Sequence, residues 1–596
     1  MLTHIRIRNF KCLGEVAFEL GANVVLIGPN NSGKTTALQA LALWNIGLAH
    51  WREKRDGKSA RKKRQGVAIN RRDLIAIPTP DARLLWQNLH VRSLERNQNG
   101  QNTQNVRIEI IVEGITGNRT WACGLEFDYA NAESLYCRLL RTEEGKDPPR
   151  MEIPEHMGNI RLAFLPPMSG LATVEPKWEP GRIDVLIGEG QTAQVLRNLC
   201  YGIYQQSITT QASGTDGKTP WTRLQTDIRR LFGVEIQPPG YMDSRGEITM
   251  GYREGNGPEL DISSAGRGLQ QTLLLLAHLY ANPNSILLLD EPDAHMEVLR
   301  QRQSYQLLTQ VARDNGAQII AASHSEVILN EAADRDMVVA FVGKPHRIDG
   351  RSHRVTKALV DIGFDQYYQA EQKGWVLYLE GPSDLAILKS FANTLGHRAA
   401  DMLDQAFVHY VSTNLPHKAR EHFSALQEAK PDLRGIALFD RLDKQLPQDP
   451  DLTVLTWRQR EIENYLCRKE VLINYAQPVS SRDNQTGNQP DLFEVEDAEK
   501  RKQAMEEAIT EVSAALETLG RDPWSADIKV SDEFLKPLFS KYFEKLGLPN
   551  QMSKTNYHIL ADLLSAPLFD PEITEKLDLI AQVADLATPL LPEDAP

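Results

Sequence analysis

At 596 residues the chain is too long for a single hydrophobic core, so roughly two to four domains are expected. With 41% hydrophobic and 24% charged residues it has the composition of a soluble globular protein, and its net charge of −12 excludes a chain that coats nucleic acid indiscriminately. No apolar run is long enough to span a bilayer, no signal-like core follows Met1, and Cys12, Cys123, Cys137, Cys200 and Cys467 form no CxxC pair, so a cytoplasmic protein with no membrane contact, disulfide framework or structural zinc is expected.

The opening residues Ile5 to Phe10 alternate with period two and Val16 to Leu20 follow them, which predicts two half-buried strands. Val24 to Ile27 is a continuous apolar run, expected as a buried strand. It leads into Gly28-Pro29-Asn30-Asn31-Ser32-Gly33-Lys34-Thr35-Thr36, which fits the G-x-x-x-x-G-K-[ST] phosphate loop. Gly28 and Gly33 let backbone N–H groups turn onto phosphate oxygens, and the helix that follows offers its positive N-terminus to the same anion. Lys34 is expected to reach the β- and γ-phosphates of ATP and the Thr35 hydroxyl to ligate Mg²⁺, with Asn30, Asn31, Ser32 and Thr36 completing the loop.

Between Arg52 and Arg72 ten Lys or Arg stand against two acids, a stretch that reads either as a solvated loop or as a phosphate-backbone contact beside the nucleotide core. Val106 to Gly114 and Thr120 to Tyr129 form a strand pair about a turn at Thr116-Gly117-Asn118, so a β-rich lobe is expected next to the nucleotide. A short strand should stop at Pro166-Pro167, and helical spacing from Thr192 to Phe232 is interrupted at residues 212–218. Ser264, Gly266 and Gly268 then open the apolar helix TLLLLAHLY as a second anion-binding terminus. Ile286 to Leu289 ends in Asp290-Glu291, a buried strand carrying two carboxylates at its tip. Asp290 is expected to hold Mg²⁺ directly or through water, and Glu291 to orient or deprotonate the attacking water. Ala317 to Ala322 ends at Ser323-His324-Ser325, which puts the His324 imidazole at a neighbouring tip as a γ-phosphate contact.

These elements, in this order, resemble an ABC-type ATPase head of the RecF, SMC and OLD (overcoming lysogenization defect) class over residues 1–345. The resemblance implies that Gly28, Gly33, Lys34 and Thr35 are Walker A positions, Asp290 and Glu291 the Walker B pair, and His324 the switch histidine. Ser264 and Gly266, with Gln270 or Gln271, match a degenerate LSGGQ, and Asp293 matches the D-loop. Pro166 to Gly170 lies in the interval of the Q-loop and contains no glutamine. In such heads the phosphate loop of one protomer is closed by the Ser-Gly stretch of another, so a homodimer or an assembly of dimers is implied. Sustained heptads and a cysteine hook, which would mark the long-armed SMC type, are missing.

After a linker over 346–374 the pattern restarts. Trp375 to Leu379 runs into Glu380-Gly381-Pro382-Ser383-Asp384, Gly435 to Phe439 into Asp440-Arg441-Leu442-Asp443, and Leu452 to Thr456 precedes Glu461-Ile462-Glu463-Asn464-Tyr465. Acids at the tips of parallel strands meet in one crevice and suit a hard cation, Mg²⁺ or Mn²⁺. The arrangement is similar to a Toprim domain, with its core over 375–478 and a helical C-terminal part over 479–596. The resemblance implies Glu380 and Asp440 as catalytic and metal-binding acids, joined by Asp384 and Asp443. DRLD spaces its aspartates by three rather than two, so Glu461 or Glu463 could supply the missing ligand. Lys554, with Lys541 behind it, is the candidate for transition-state charge. Residues 477–497 read as a polar loop and 498–519 as a charged amphipathic helix.

An α/β chain that joins an ABC-type head and its β-rich lobe to a Toprim-like domain resembles OLD-family nucleases, including Gabija-type and PARIS-type antiphage proteins. That resemblance implies an ATP-regulated, Mg²⁺-dependent nuclease acting on DNA, tRNA or other RNA after a phage-derived trigger. The alternatives are an ATPase sensor or scaffold that sequesters or releases a partner, and a RecF-like repair factor.

Overall fold

The computed structural model describes residues 1–589 other than 56, 59–64, 75–76, 78, 98–99, 144–148, 168–169, 189–190, 213–218, 334, 349–361, 443–448 and 478–491. The chain divides into two compact units, one within Met1–Phe364 and one within Asp365–Leu591. Among the described residues no helix is long and apolar enough to cross a membrane.

The first unit holds two six-stranded sheets. One is antiparallel throughout, in the order Leu13–Glu19, Leu2–Phe10, Ile108–Thr116, Arg119–Asn131, Ser134–Leu139, Val67–Asn70. Its alternation is visible in the first strand, where Ile5 and Ile7 are buried and Arg6 and Arg8 face outward. The other sheet runs Leu162–Leu165, Ile286–Asp290, Gln318–Ser323, Asn23–Ile27 and Met337–Ala340, all parallel, with His346–Arg347 added antiparallel at the edge. Asn23–Ile27 and Gln318–Ser323 are buried along their whole length, because helices or strands cover both faces.

Helix Lys34–Arg55 lies between the two sheets and shares one core with Val24, Leu26, Leu288 and Ile320 on one side and Leu125 and Phe127 on the other. Its Trp44 stacks on Trp121 and donates to the Cys123 carbonyl at 2.9 Å. Gly47 permits the close approach, since a Cβ there would stand 3.0 Å from Cys137 Sγ, Leu125 and Phe127. Leu287, Leu289, Ile319 and Ala321 point to the opposite face, into a core with helices Leu196–Ala212, Pro220–Phe232, Arg267–Ala281 and Val298–Asp314.

The second unit opens with helix Phe364–Lys373 and is built on a parallel sheet ordered Phe407–Tyr410, Trp375–Leu379, Arg434–Phe439, Leu452–Thr456. The strand order reverses direction between Trp375–Leu379 and Arg434–Phe439, the point at which open α/β sheets form a crevice. Helices Leu492–Thr518, Lys536–Leu546 and Pro571–Asp585 are not an appendage. Met505, Phe539 and Leu577 share one core with Leu377, Leu379, Ile436 and Leu438 of the sheet.

Candidate functional site

In the first unit the parallel register sets Asp290 beside Ala322 and Ser323 beside Ile27, so three strands end together with their following loops on one rim. Gly28 (φ +155°) and Gly33 (φ +94°) are required there: a Cβ on Gly28 would lie 2.7 Å from Ser32 Oγ, and one on Gly33 2.7 Å from Leu13 Cδ2. Asn30 and Asn31 are exposed at the loop tip, Asn31 with φ 64°. Lys34 is buried, and its ammonium donates to the Gly28 and Pro29 carbonyls at 2.7 Å each. Burial lowers its pKa against the opposing pull of Glu291 and Asp290.

The Thr35 hydroxyl donates to Asp290 Oδ1 at 2.9 Å, joining the phosphate loop to the carboxylate strand. Thr36 accepts a weak bond from Cys12 Sγ at 3.4 Å. Burial raises the Asp290 pKa, partly offset by that Thr35 bond. Glu291 adopts φ 47°, a left-handed conformation that costs a non-glycine residue about 1–3 kcal/mol and marks functional turns. Its N–H donates to the Ala322 carbonyl at 2.9 Å, and His324 Nδ1 lies 3.6 Å from Glu291 Oε1. Asp293 is buried and accepts from Ser323 Oγ at 2.8 Å, which ties two strand tips together.

Ser264 sits in a short 3₁₀ turn, its hydroxyl donating to the Asp261 carbonyl at 2.7 Å, and Gly266 is the N-cap of helix Arg267–Ala281. Two supports of this loop escape sequence reasoning. The buried Gln270 amide donates to the carbonyls of Ile262, Ser263 and Ala265 at 2.9–3.1 Å, and buried Arg197 donates to Asp261 Oδ1 at 2.8 Å. Neither partnership has a local spacing that would reveal it.

The second unit gathers a separate set of ionisable groups. Glu380 and Asp440 follow adjacent strands, and Asp384 caps helix Pro382–Thr394 by accepting from the Gly381 N–H at 3.1 Å. Burial, then the fields of Glu463, Glu380, Glu461 and Asp384, push the Asp440 carboxyl up to about 8. Burial and Glu461 likewise raise Glu463. Lys554 Nζ lies 3.3 Å from Glu463 Oε1; burial disfavours its charge, but Glu463, Glu461 and Asp384 together outweigh that and raise its pKa. Lys541 instead pairs with Glu511 at 3.3 Å. Asp443 lies outside the described residues.

Glu461 is held from behind: its Oε1 accepts from the Ser531 N–H at 2.5 Å, and Asn464 Oδ1 accepts from the Glu461 N–H at 3.1 Å. The E-x-x-N spacing was a legible signal for the second of these; the first depends on a residue 70 positions away. Glu461 Oε2 is buried without a hydrogen bond among the described residues, and the buried Glu463 Oε1 has Lys554 as its partner.

The chain is similar to known proteins in three comparisons. A family model described as "AAA domain, putative AbiEii toxin, Type IV TA system" matches residues 207–330, and one described as "AAA ATPase domain" matches residues 1–50. The first unit carries an ATPase domain. An OLD nuclease of Thermus scotoductus is 42% identical over 43 residues, which are 7% of this chain and 8% of that protein's length. The SMC head domain from Thermotoga maritima aligns at TM-score 0.30 and 12% identity over 58% of this chain and 98% of that one. A Pyrococcus furiosus Smc head with an extended coiled coil, bound to the C-terminal domain of ScpA, aligns at 0.33 and 11% over 58% and 96%.

The residues at the first rim fit the ATP and Mg²⁺ that such a domain uses. The buried Ser32 hydroxyl has no hydrogen bond among the described residues, and Lys34 spends its ammonium on carbonyls of its own loop, so both are free to turn to phosphate oxygens. Thr35 and Asp290 would hold the metal, which supplies charge neutralisation to the phosphates when bound. The acids of the second unit fit a hard cation in donor chemistry and in the unsatisfied Oε2 of Glu461. Among the described residues, however, no group of three His, Cys, Asp or Glu is arranged to hold a metal as it stands.

Proposed function

We propose that this protein is an ATP-regulated, Mg²⁺-dependent nuclease of bacterial antiphage defence, with a Toprim-like second unit that cuts nucleic acid. The observation that carries this reading is the convergence of Glu380, Asp384, Asp440, Glu461 and Glu463 on one another, with Lys554 as the counter-charge. Burial and the fields of the neighbouring acids hold Asp384, Asp440 and Glu463 above the ordinary carboxylate range, an arrangement that is costly unless a cation relieves it. A divalent ion would supply an activated water and a clamp on the leaving oxygen. Glu380, Asp440 and Glu461 or Glu463 would hold it, Asp384 would brace the Gly381 turn, and Lys554 would face the charge that develops on the phosphodiester.

Regulation would come from pairing of two ATPase units. The Ser264–Gly266 loop borders a cavity of about 320 Å³ also lined by His295, Glu297 and Arg300. Next to it Val298 and Leu299 are 68% and 60% exposed, an apolar pair that suits a second copy of the same surface. Nucleotide held by Lys34 and Thr35 of one copy would be completed by Ser264 and Gly266 of the other, with Glu291 and His324 handling the attacking water. A phage-derived trigger would shift that equilibrium.

The decisive experiment incubates purified protein with Mg²⁺ or Mn²⁺ and either plasmid or tRNA. Cleavage is expected, Glu380→Ala should abolish it, and ATP hydrolysis should survive that change. If Glu380→Ala cuts as well as the parent protein, the reading fails. A second reading, an ATPase sensor that holds and releases a partner while its acidic cluster does little chemistry, is favoured by the absence of a ready-made three-ligand group among the described residues. Absence of any cutting with ATPase activity intact would select it.

A further inference from the structure

The parallel sheet of the first unit has a second opening, at the strand ends remote from the phosphate loop. A cavity of about 810 Å³ is walled there by helix Lys34–Arg55, strand Leu162–Leu165, helix Pro180–Gly188 and helix Arg267–Ala281, together with the turn that precedes strand Ile286–Asp290. Its volume is that of a small-molecule pocket. Most of the wall is apolar, as at Phe164, but two polar side chains are set deep in it. His278 is 4% exposed and Ser285 2% exposed, and neither His278 Nδ1 nor Ser285 Oγ makes a hydrogen bond among the described residues. A buried polar atom without a partner is uncommon enough to call for one.

The lining also selects the chemistry. Burial pushes His278 down to about 4, so at neutral pH its ring is uncharged and offers one donor and one acceptor. Ser285 offers a hydroxyl that does both. The charged side chains on the wall are Asp73 and Arg161, one of each sign, which leaves no net charge to attract an ion. A purely apolar guest would leave both buried polar atoms unsatisfied.

We infer that this cavity binds a neutral nitrogen heterocycle of nucleoside size, its hydrogen-bonding edge against His278 and Ser285 and its ring against the apolar wall. Occupancy would be felt at the nucleotide rim. Helix Lys34–Arg55 begins at the phosphate-loop lysine, helix Arg267–Ala281 begins at Gly266, and strand Ile286–Asp290 ends at the metal-side carboxylate. A guest wedged among the far ends of these elements biases the relative position of their near ends, and so the rate of ATP hydrolysis.

The test titrates adenosine and guanosine calorimetrically into the full-length protein saturated with Mg²⁺ and a non-hydrolysable ATP analogue, so that the phosphate-loop site is filled. Binding of at least one nucleoside is expected, one per chain. Ser285→Ala should weaken it tenfold or more, and Asn45→Trp, which fills the cavity from a partly exposed wall position, should abolish it. Absence of binding by both nucleosides overturns the inference. So does binding that the ATP analogue displaces, or binding that neither substitution changes, since either would put the nucleoside elsewhere. A change of at least twofold in ATP hydrolysis on saturation is expected in the parent protein and not in Asn45→Trp; an unchanged rate would overturn the coupling while leaving the binding site.

Discussion

Lys554 Nζ stands 3.3 Å from Glu463 Oε1, pairing a lysine whose side chain is 48% exposed with a carboxylate that is 2% exposed. The relationship is asymmetric. Lys554 can be solvated if the pair is broken, whereas Glu463 is left charged in a crowd of acids or must take up a proton.

Lys554→Ala is therefore expected to destabilise the second unit by about 1–2 kcal/mol, below the figure for a fully buried pair because solvent screens the lysine. Thermal melting would report it. Adding Glu463→Gln to that variant should recover most of the loss, since the stranded charge is gone, yet cleavage should stay absent. If Lys554→Ala melts like the parent protein, the pair is energetically idle.

Asp440 gives a prediction of opposite sign. Its carboxyl is raised to about 8 in the folded protein against an ordinary value of 3.8, so between those limits the unfolded chain has lost a proton that the folded one keeps. Its contribution to stability is present below pH 3.8 and is lost as pH rises towards 8. Without divalent ions at pH 7.5, Asp440→Asn should stabilise the second unit by about 1–3 kcal/mol, because the folded protein no longer has to keep a proton that the unfolded chain gives up. Millimolar Mn²⁺ should raise the melting temperature of the parent protein and leave that of Asp440→Asn unmoved. Equal shifts in both would show that the cation binds elsewhere.

The elements that bear these sites were legible where apolar runs end abruptly in functional residues. Val24 to Ile27 before Gly28, and Ile286 to Leu289 before Asp290, are buried strands because both faces of a parallel sheet are covered, and a continuous apolar run is the mark of that condition. The strand pair on either side of Gly117 and the helices on either side of residues 213–218 follow from turn chemistry in the same way. What could not be read locally is what holds the loops in place. Arg197 reaches Asp261 across 64 positions and Ser531 steadies Glu461 across 70, both set by tertiary approach, while Gln270 gathers three carbonyls of the turn just before its helix with no periodicity to announce it. The left-handed turn at Glu291 was hidden for a related reason: a glutamate does not prefer it, and surrounding bonds impose it.

The Thr35 hydroxyl and Asp290 Oδ1, 2.9 Å apart, make a narrow test of the ATPase rim. Thr35→Val keeps the shape of the side chain and removes the donor, so ATP hydrolysis should fall by roughly a hundredfold or more while the fold is retained. Thr35→Ser should restore most of the rate, since the hydroxyl returns. Phosphate release measured across a Mg²⁺ series distinguishes a lost metal contact, rescued in part by more Mg²⁺, from a loop that no longer forms.

Acid should loosen the first unit through His278. Burial holds its imidazole at about 4, below the ordinary 6.5, so between those values the unfolded chain binds a proton that the folded one refuses. The sign follows: the stability this residue contributes is complete above pH 6.5 and is lost as pH falls towards 4. At pH 5 the loss should reach about 2 kcal/mol. His422 adds the same trend in the second unit, pushed down to about 3 by burial and by His409 stacked on it at 3.8 Å. Hydrogen exchange resolves the two, because protection in helix Arg267–Ala281 reads the first unit alone. His278→Gln should flatten the dependence in that helix between pH 7 and pH 5 and leave the His422-linked part unchanged; an unaltered slope would assign the acid sensitivity to other groups.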